Sequence, residues 1–158
     1  MSTVRIAAVG DVHVGVDSDH VLGDPSVLAA EADVLLIAGD LTRHGTPAEA
    51  EVLAREIAEA PVPVMVVLGN HDFESDADDD VREVMTAAGA RVLDGDAAVV
   101  SVDGVRVGVA GTPGFGGGFR GASGSEFGEP LMKAFVRRTR QMASDLCRAL
   151  QALDADVR

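Results

Sequence analysis

Three short apolar runs, residues 4–9, 33–38 and 62–68, each stop at a glycine followed by a polar residue: Gly10-Asp11, Gly39-Asp40 and Gly69-Asn70. Runs this brief, this uniformly apolar and this rich in Val and Ile have no wet face, so they read as strands of a parallel sheet covered on both sides. Helix-forming stretches separate them. Asp24-Pro25 opens one that continues through Val27, Leu28 and Ala32. Thr46-Pro47-Ala48-Glu49 opens another, with a capping residue followed by proline at the first helical position, and it ends before Pro61. The result is a β-α-β-α-β rhythm with right-handed crossovers expected. A chain with that rhythm is confined to an open α/β sheet, where ligands collect beyond the carboxyl ends of the strands.

Further along, a third helix is expected to start in residues 76–80 and to run through Val81, Val84 and Met85 to Gly89. The carboxylates of Glu74, Asp76, Asp78, Asp79 and Asp80 read as a solvated helix start favoured by the helix dipole. Residues 97–102 and 105–110 flank Asp103-Gly104, a strong hairpin signal, so the pairing turns antiparallel there. Residues 111–128 are crowded with glycine, lack periodicity and read as a mobile surface loop. Within them Gly116, Gly118 and Gly121 match G-x-G-x-x-G, but without the strand before and the helix after that dinucleotide binding requires. From about 129 to 153 the pattern is helical, with Leu131, Phe135, Met142, Leu146, Leu150 and Leu153 near one stripe. Arg137, Arg138 and Arg140 fall largely off that stripe, and Cys147 adjoins it as an inert core thiol. Ala155-Asp156-Val157-Arg158 repeats the helix-to-strand step of Ala32-Asp33-Val34-Leu35, so another strand is expected to begin there. No linker divides the chain, and residues 1–158 read as a single domain.

Charge narrows the partners. Against 13 Lys+Arg stand 26 Asp+Glu, a net charge of −13, which suits neither a nucleic-acid duplex nor an anionic membrane surface. Cations are another matter, and a phosphate substrate would need them as its counter-charge. One Cys forms no internal disulfide, the first residues contain no long apolar segment, and no stretch approaches the ~18 apolar residues of a membrane span. A soluble cytoplasmic protein is expected.

The strand ends carry the chemistry. They read Gly10-Asp11-Val12-His13, Gly39-Asp40 and Gly69-Asn70-His71-Asp72. In an extended Asp-x-His the first and third side chains point the same way, so the carboxylate of Asp11 and the imidazole of His13 are expected to converge. Carboxylates, an amide oxygen and imidazoles together suit Mn, Fe, Zn, Co or Ni better than Ca or a thiolate-bound metal. Two such ions ~3.5–4 Å apart hold a phosphate ester, acidify a bridging water and stabilise an in-line displacement. Asp40, on the middle motif, is the candidate bridge. Taken singly, each of these residues is an ordinary turn former. At three successive strand ends they point to a site.

These motifs resemble the first three of the calcineurin-like metallophosphoesterases, over approximately residues 4–110, and Gly39-Asp40-Leu41-Thr42 with Gly45 is similar to the branch containing cyclic-nucleotide phosphodiesterases. The resemblance implies an α/β sandwich of two mixed sheets flanked by helices, with two divalent metals at the strand ends and a small-molecule phosphoester as substrate. It implies that Asp11 and His13 ligate the first metal, Asp40 bridges both and Asn70 ligates the second. His71 would stand near the leaving-group oxygen as general acid or donor, with Asp72 orienting its imidazole. The family pattern continues with a further His and a G-H-x-H motif, whereas His20 and His44, the other histidines here, both precede Asn70. The expectation is therefore an N-terminal portion of such a domain, truncated at its C-terminus. It would supply one sheet plus the opening hairpin of the second, with apolar faces left uncovered and little activity of its own. The alternative is a catalytically inactive truncated domain that binds only a cation or a partner. A flavodoxin-like or receiver-type acidic pocket fits the parallel rhythm but explains neither Asp-x-His nor Asn-His-Asp.

Overall fold

A computed structural model describes residues 3–114, 116, 118–119 and 121–158; Phe115, Gly117 and Arg120 of the glycine-rich segment lie outside the described residues, as do Met1 and Ser2. Four parallel strands form the first sheet in the order β1 (Ile6–Val9), β2 (Val34–Ala38), β3 (Val64–Val67) and β4 (Arg91–Val92). The register pairs Ile6 with Val34, Leu35 with Val64 and Met65 with Arg91. The first three strands fall inside the apolar runs. β4 is two residues long, too short to leave a periodic signal in the sequence.

Three helices lie between these strands, and their starts follow from local chemistry. At α1 (Pro25–Glu31) the Asp24 side chain accepts from the Ser26 backbone N–H. At α2 (Pro47–Ala58) Thr46 and Glu49 form a reciprocal capping box. α3 (Asp78–Ala87) opens on three aspartates, as the dipole favours. Alternate residues of the sheet, Leu35, Ile37, Val64 and Val66, pack with Leu53 and Ile57 of α2 and Val81 and Met85 of α3 in one buried core. Each such side chain contributes about 1.5–3 kcal/mol when fully buried.

The other face of the sheet looks across an apolar cleft of about 270 Å³ lined by Leu36, Ala38, Met65 and Val67 on one side and by Val109, Ala110 and Leu146 on the other. The far side belongs to an antiparallel hairpin, β5 (Asp96–Val102) and β6 (Val105–Gly111), and to α4 (Pro130–Ala152). Asp103 and Gly104 have φ of 47° and 81°, so both central residues of the hairpin turn take the positive values of a type I′ turn. The sheets meet closely at the end of β6, where a Cβ on Gly111 would lie 2.6 Å from a Val67 methyl. β1 lies at the sheet edge and does not line the cleft, and its Ile6 and Val9 are 47% and 38% exposed. Cover on both faces, expected of all three apolar runs, therefore holds for β2 and β3 and not for β1.

In the C-terminal part three expectations need correction. Residues 111–128 are not wholly irregular, because β7 (Gly118–Phe119) and β8 (Ala122–Ser123) pair antiparallel within them. The glycine fingerprint therefore falls on a small hairpin and opens no helix. Of the expected α4 stripe Met142 and Leu153 are buried and Leu146 lines the apolar cleft, but Leu131 is 85% exposed and Phe135 and Leu150 are exposed as well, with Val136 and Ala149 buried in their place. Small side chains make the seat: Leu153, just beyond α4, rests on Gly108, where a Cβ would come within 2.8 Å of it. Cys147 faces outward, and its thiol is exposed rather than part of the core. Beyond α4 the chain begins to pair with β6, as the repeated helix-to-strand step led us to expect. Asp156 N–H donates to Arg106 O at 2.8 Å, Gly108 N–H donates to Val157 O at 2.8 Å, and Val157 bridges Val107 in parallel.

Candidate metal centre

Beyond the carboxyl ends of β1 and β2 the backbone ladder continues. Asp11 N–H donates to Gly39 O (3.2 Å), His13 N–H to Asp40 O (2.9 Å), Val14 N–H to Leu41 O (3.0 Å) and Arg43 N–H back to Val14 O (3.0 Å). The loops leaving the two strands are thus locked together residue by residue. The lock requires unusual backbone, since Asp11, His13 and Asp40 have φ of 54°, 46° and 48° and Gly39 has 84°. Left-handed conformations in non-glycine residues cost roughly 1–3 kcal/mol each and gather where surrounding structure enforces them, commonly at functional sites.

The third loop is clamped to the second by Asp72. Its carboxylate is fully buried at 0% exposure and accepts from Leu41 N–H (3.1 Å), Thr42 N–H (2.8 Å), Thr42 Oγ1 (2.6 Å) and Gly69 N–H (2.8 Å). The Thr42 hydroxyl in turn accepts from Gly45 N–H at 3.0 Å. Gly69 is where the loops approach most closely, as a Cβ there would fall 2.1 Å from Asp40 N and Oδ1. A second tie runs from His71 N–H to Asp40 Oδ1 at 2.9 Å.

These constraints bring His13, Asp40 and His71 together, with one ligand atom from each lying within 4.8 Å of the others. His13 Nε2 is 3.9 Å from Asp40 Oδ2, and the His13 and His71 rings meet edge to face with centroids 4.5 Å apart. Asp40 therefore spends one oxygen on the His71 backbone and turns the other toward the imidazoles. His71 Nδ1 lies 2.9 Å from the Arg43 carbonyl oxygen. A carbonyl has no proton to give, so Nδ1 is the donor and Nε2 is left free in the neutral ring. That bond holds the imidazole pKa above 6.5, helped by the charges of Asp40, Glu74 and Asp72 and opposed by partial burial.

Two details differ from the sequence reading. Asp11 and His13 are not extended, so their side chains do not converge by strand alternation, and the exposed Asp11 stands outside the three-residue group. The His71 ring is oriented by the Arg43 carbonyl, while the Asp72 carboxylate is committed to the strand-end loops. Asn70 is exposed and lines a neighbouring cleft with Phe73, Pro113 and Met142. Thr42 stood in the quoted motif without a role, and its part as the buried hydroxyl of the clamp becomes visible only once Asp72 is placed. The acidic segment 74–80 supplies no ligand atom to the group found among the described residues, although Glu74 Oε2 lies 3.8 Å from His71 Nδ1. The His13 imidazole and the Asp40 carboxylate, 3.9 Å apart with the His71 ring beside them, offer donors that a borderline divalent ion accepts. The residues fit a metal.

The model of the family described as calcineurin-like phosphoesterase matches residues 4–112. The chain belongs to that family, one of phosphoester hydrolases that bind divalent metals. Among solved structures, one crystal structure superposes with a TM-score of 0.53 at 17% identity, covering 86% of this chain. At that identity the likeness concerns the fold, and the chain spans 63% of that structure's length. No curated protein gives a significant match. No helix among the described residues is long and apolar enough to cross a membrane.

Proposed function

We propose that this chain carries the strand-end metal centre of a phosphoester hydrolase that acts on a small-molecule phosphomonoester or phosphodiester, residues 1–158 working as one cytoplasmic unit. The observation that carries the reading is the convergence of His13, Asp40 and His71 on one point, supplied by three successive strand ends. Two divalent ions, of the Mn, Fe, Zn, Co or Ni kind, would be held by Asp11, His13, Asp40 and Asn70, with Asp40 between them. When bound, such ions neutralise the phosphate and lower the pKa of an attacking water. The chain's own residues do the rest. The loop ladder and the Asp72 clamp fix the ligands before substrate arrives, so little ordering is left for the reaction itself. His71, its ring oriented by Nδ1 donating to the Arg43 carbonyl, would present Nε2 as the proton donor to the departing oxygen. Phosphodiesterase activity would place the chain among the diester-cleaving members of the family.

The test is hydrolysis of bis(p-nitrophenyl) phosphate and p-nitrophenyl phosphate by metal-free protein titrated with Mn²⁺. We expect turnover that is low, because no histidine follows His71, that appears with the ion, and that vanishes with chelator or Asp40→Ala and falls in His71→Ala. Rates equal with and without Mn²⁺ would contradict the reading. A second reading, cation binding without turnover, is favoured by one feature: all four histidines lie at or before position 71. It would show as Mn²⁺ binding that depends on Asp40 with no hydrolysis of either ester.

A further inference from the structure

Next to the metal centre lies a cleft of about 390 Å³ whose lining includes Asn70, Phe73, Pro113, Gly114, Met142 and Arg138. Its nearness to the site is fixed by the backbone: Gly114 N–H donates to Leu68 O at 3.0 Å, and a Cβ on Gly114 would lie 3.8 Å from Gly69 Cα. The segment after β6 is thus hung on the very loop that presents Asn70 and His71. Phe73 enters from the short 3-10 turn His71–Phe73 that begins at the catalytic candidate itself.

The opposite wall comes from α4. Arg138 and Met142 are four residues apart, so they share one face of the helix, and Met142 is buried. Other arginines of α4 are committed elsewhere: Arg137 and Arg140 hold the two oxygens of Glu126 at 2.6 and 2.7 Å, and Arg148 pairs with Asp145. Arg138 makes no ion pair with any described residue, and it is the one charged group among the described residues lining the cleft. In a protein of net charge −13, a free guanidinium facing an apolar cavity beside a phosphate-binding centre has an anion as its natural partner.

Resting on the proposed phosphoesterase reading, we infer that this cleft receives the organic part of the ester. Phe73, Pro113 and Met142 would pack on its apolar body, and Arg138 would hold a second anionic group, a carboxylate or another phosphate, carried on that body. Arg138 is then a positioning residue that selects esters with an anionic leaving group. The centre at His13, Asp40 and His71 deals with the reacting phosphate, and Arg138 deals with the far end.

Two matched probes separate these roles: 4-carboxyphenyl phosphate, and 4-carbamoylphenyl phosphate, which has the same shape without the second charge. With Mn²⁺-loaded protein, Arg138→Met should raise KM for the carboxylate probe about tenfold, leave kcat within twofold, and leave KM for the carboxamide unchanged; Arg138→Lys should recover part of the loss. Calorimetric binding of the corresponding non-hydrolysable phosphonates should give the same contrast. Equal weakening of both probes, or of neither, in Arg138→Met would overturn the inference. The binding arm keeps the two readings apart: absent turnover with Arg138-dependent preference for the carboxylate phosphonate would sink the hydrolase reading and leave the anion subsite standing.

Discussion

The parallel sheet with its three helices and the hairpin with α4 are built to different standards. In the first, the core closes around Ile37, Leu41, Leu53, Leu68 and Met85, each essentially inaccessible to solvent. In the second, Phe127 and Leu131 are more than 80% exposed, and the long helix rests on its neighbours through Val136, Met142 and Ala149. All three residues of the candidate metal centre come from the first region, and the proposed subsite residue Arg138 comes from the second. Ligands must be held to fractions of an ångström against strained backbone, which a well-packed region with locked loops provides. An anion on the far end of a substrate needs only a long, solvated side chain, which a loosely seated helix supplies.

Substitutions at matched positions put this contrast to the test. The largest effect is expected at Asp72. Asp72→Ala leaves three buried backbone N–H groups at residues 41, 42 and 69 without an acceptor, and at about 1–3 kcal/mol each the loss should reach roughly 5 kcal/mol in urea denaturation. A cost under 1 kcal/mol would mean that the strand-end loops are not clamped as described. Next comes packing. Leu53→Ala in α2 should cost about 2–5 kcal/mol, whereas Leu131→Ala at the start of α4 should stay within about 0.5 kcal/mol. Equal losses at the two leucines would erase the distinction between the regions.

The smallest effect concerns pH. His71 has a folded pKa above 6.5, first because its ring donates to the Arg43 carbonyl and then because of the charges around it. Its contribution to stability is therefore complete below about 6.5 and is lost as pH rises through the folded value. In metal-free protein the NMR titration of His71 should have its midpoint above that of a free histidine, and His71→Gln should flatten the corresponding slope of stability against pH. A midpoint below 6.5 would contradict the Arg43 contact.

What could be read from the sequence follows the same division. Each strand-helix step up to α3 was legible because one local signal marked it: an apolar run, an N-cap, or a proline at the first turn, as at Asp24-Pro25 and Thr46-Pro47. Asp103-Gly104 was equally clear, since two positive φ values admit few other residues. The face of α4 was legible only toward its C-terminal half, where Met142, Leu146 and Leu153 turn inward. Its leucines are spread around enough of the helix to offer several stripes, and at its start Leu131 and Phe135 stay exposed while Val136 is buried. At the site, the motif positions identified which loops matter. The left-handed backbone at Asp11 and His13 decided where their side chains go, and spacing carries no trace of it. Nor does Asp72 next to His71 reveal that its carboxylate serves Leu41, Thr42 and Gly69.

The central claim is that the locked loops of the first region gather a cation site around His13 and Asp40, with the His71 imidazole beside it. Calorimetric titration of the metal-free chain with Mn²⁺ addresses it most directly, run on the wild type, Asp40→Ala and Glu74→Gln. The account predicts saturable binding weakened more than roughly 100-fold by Asp40→Ala, because a ligand is lost outright, and little changed by Glu74→Gln, which lies outside the group. Superimposable isotherms for the wild type and Asp40→Ala would contradict it.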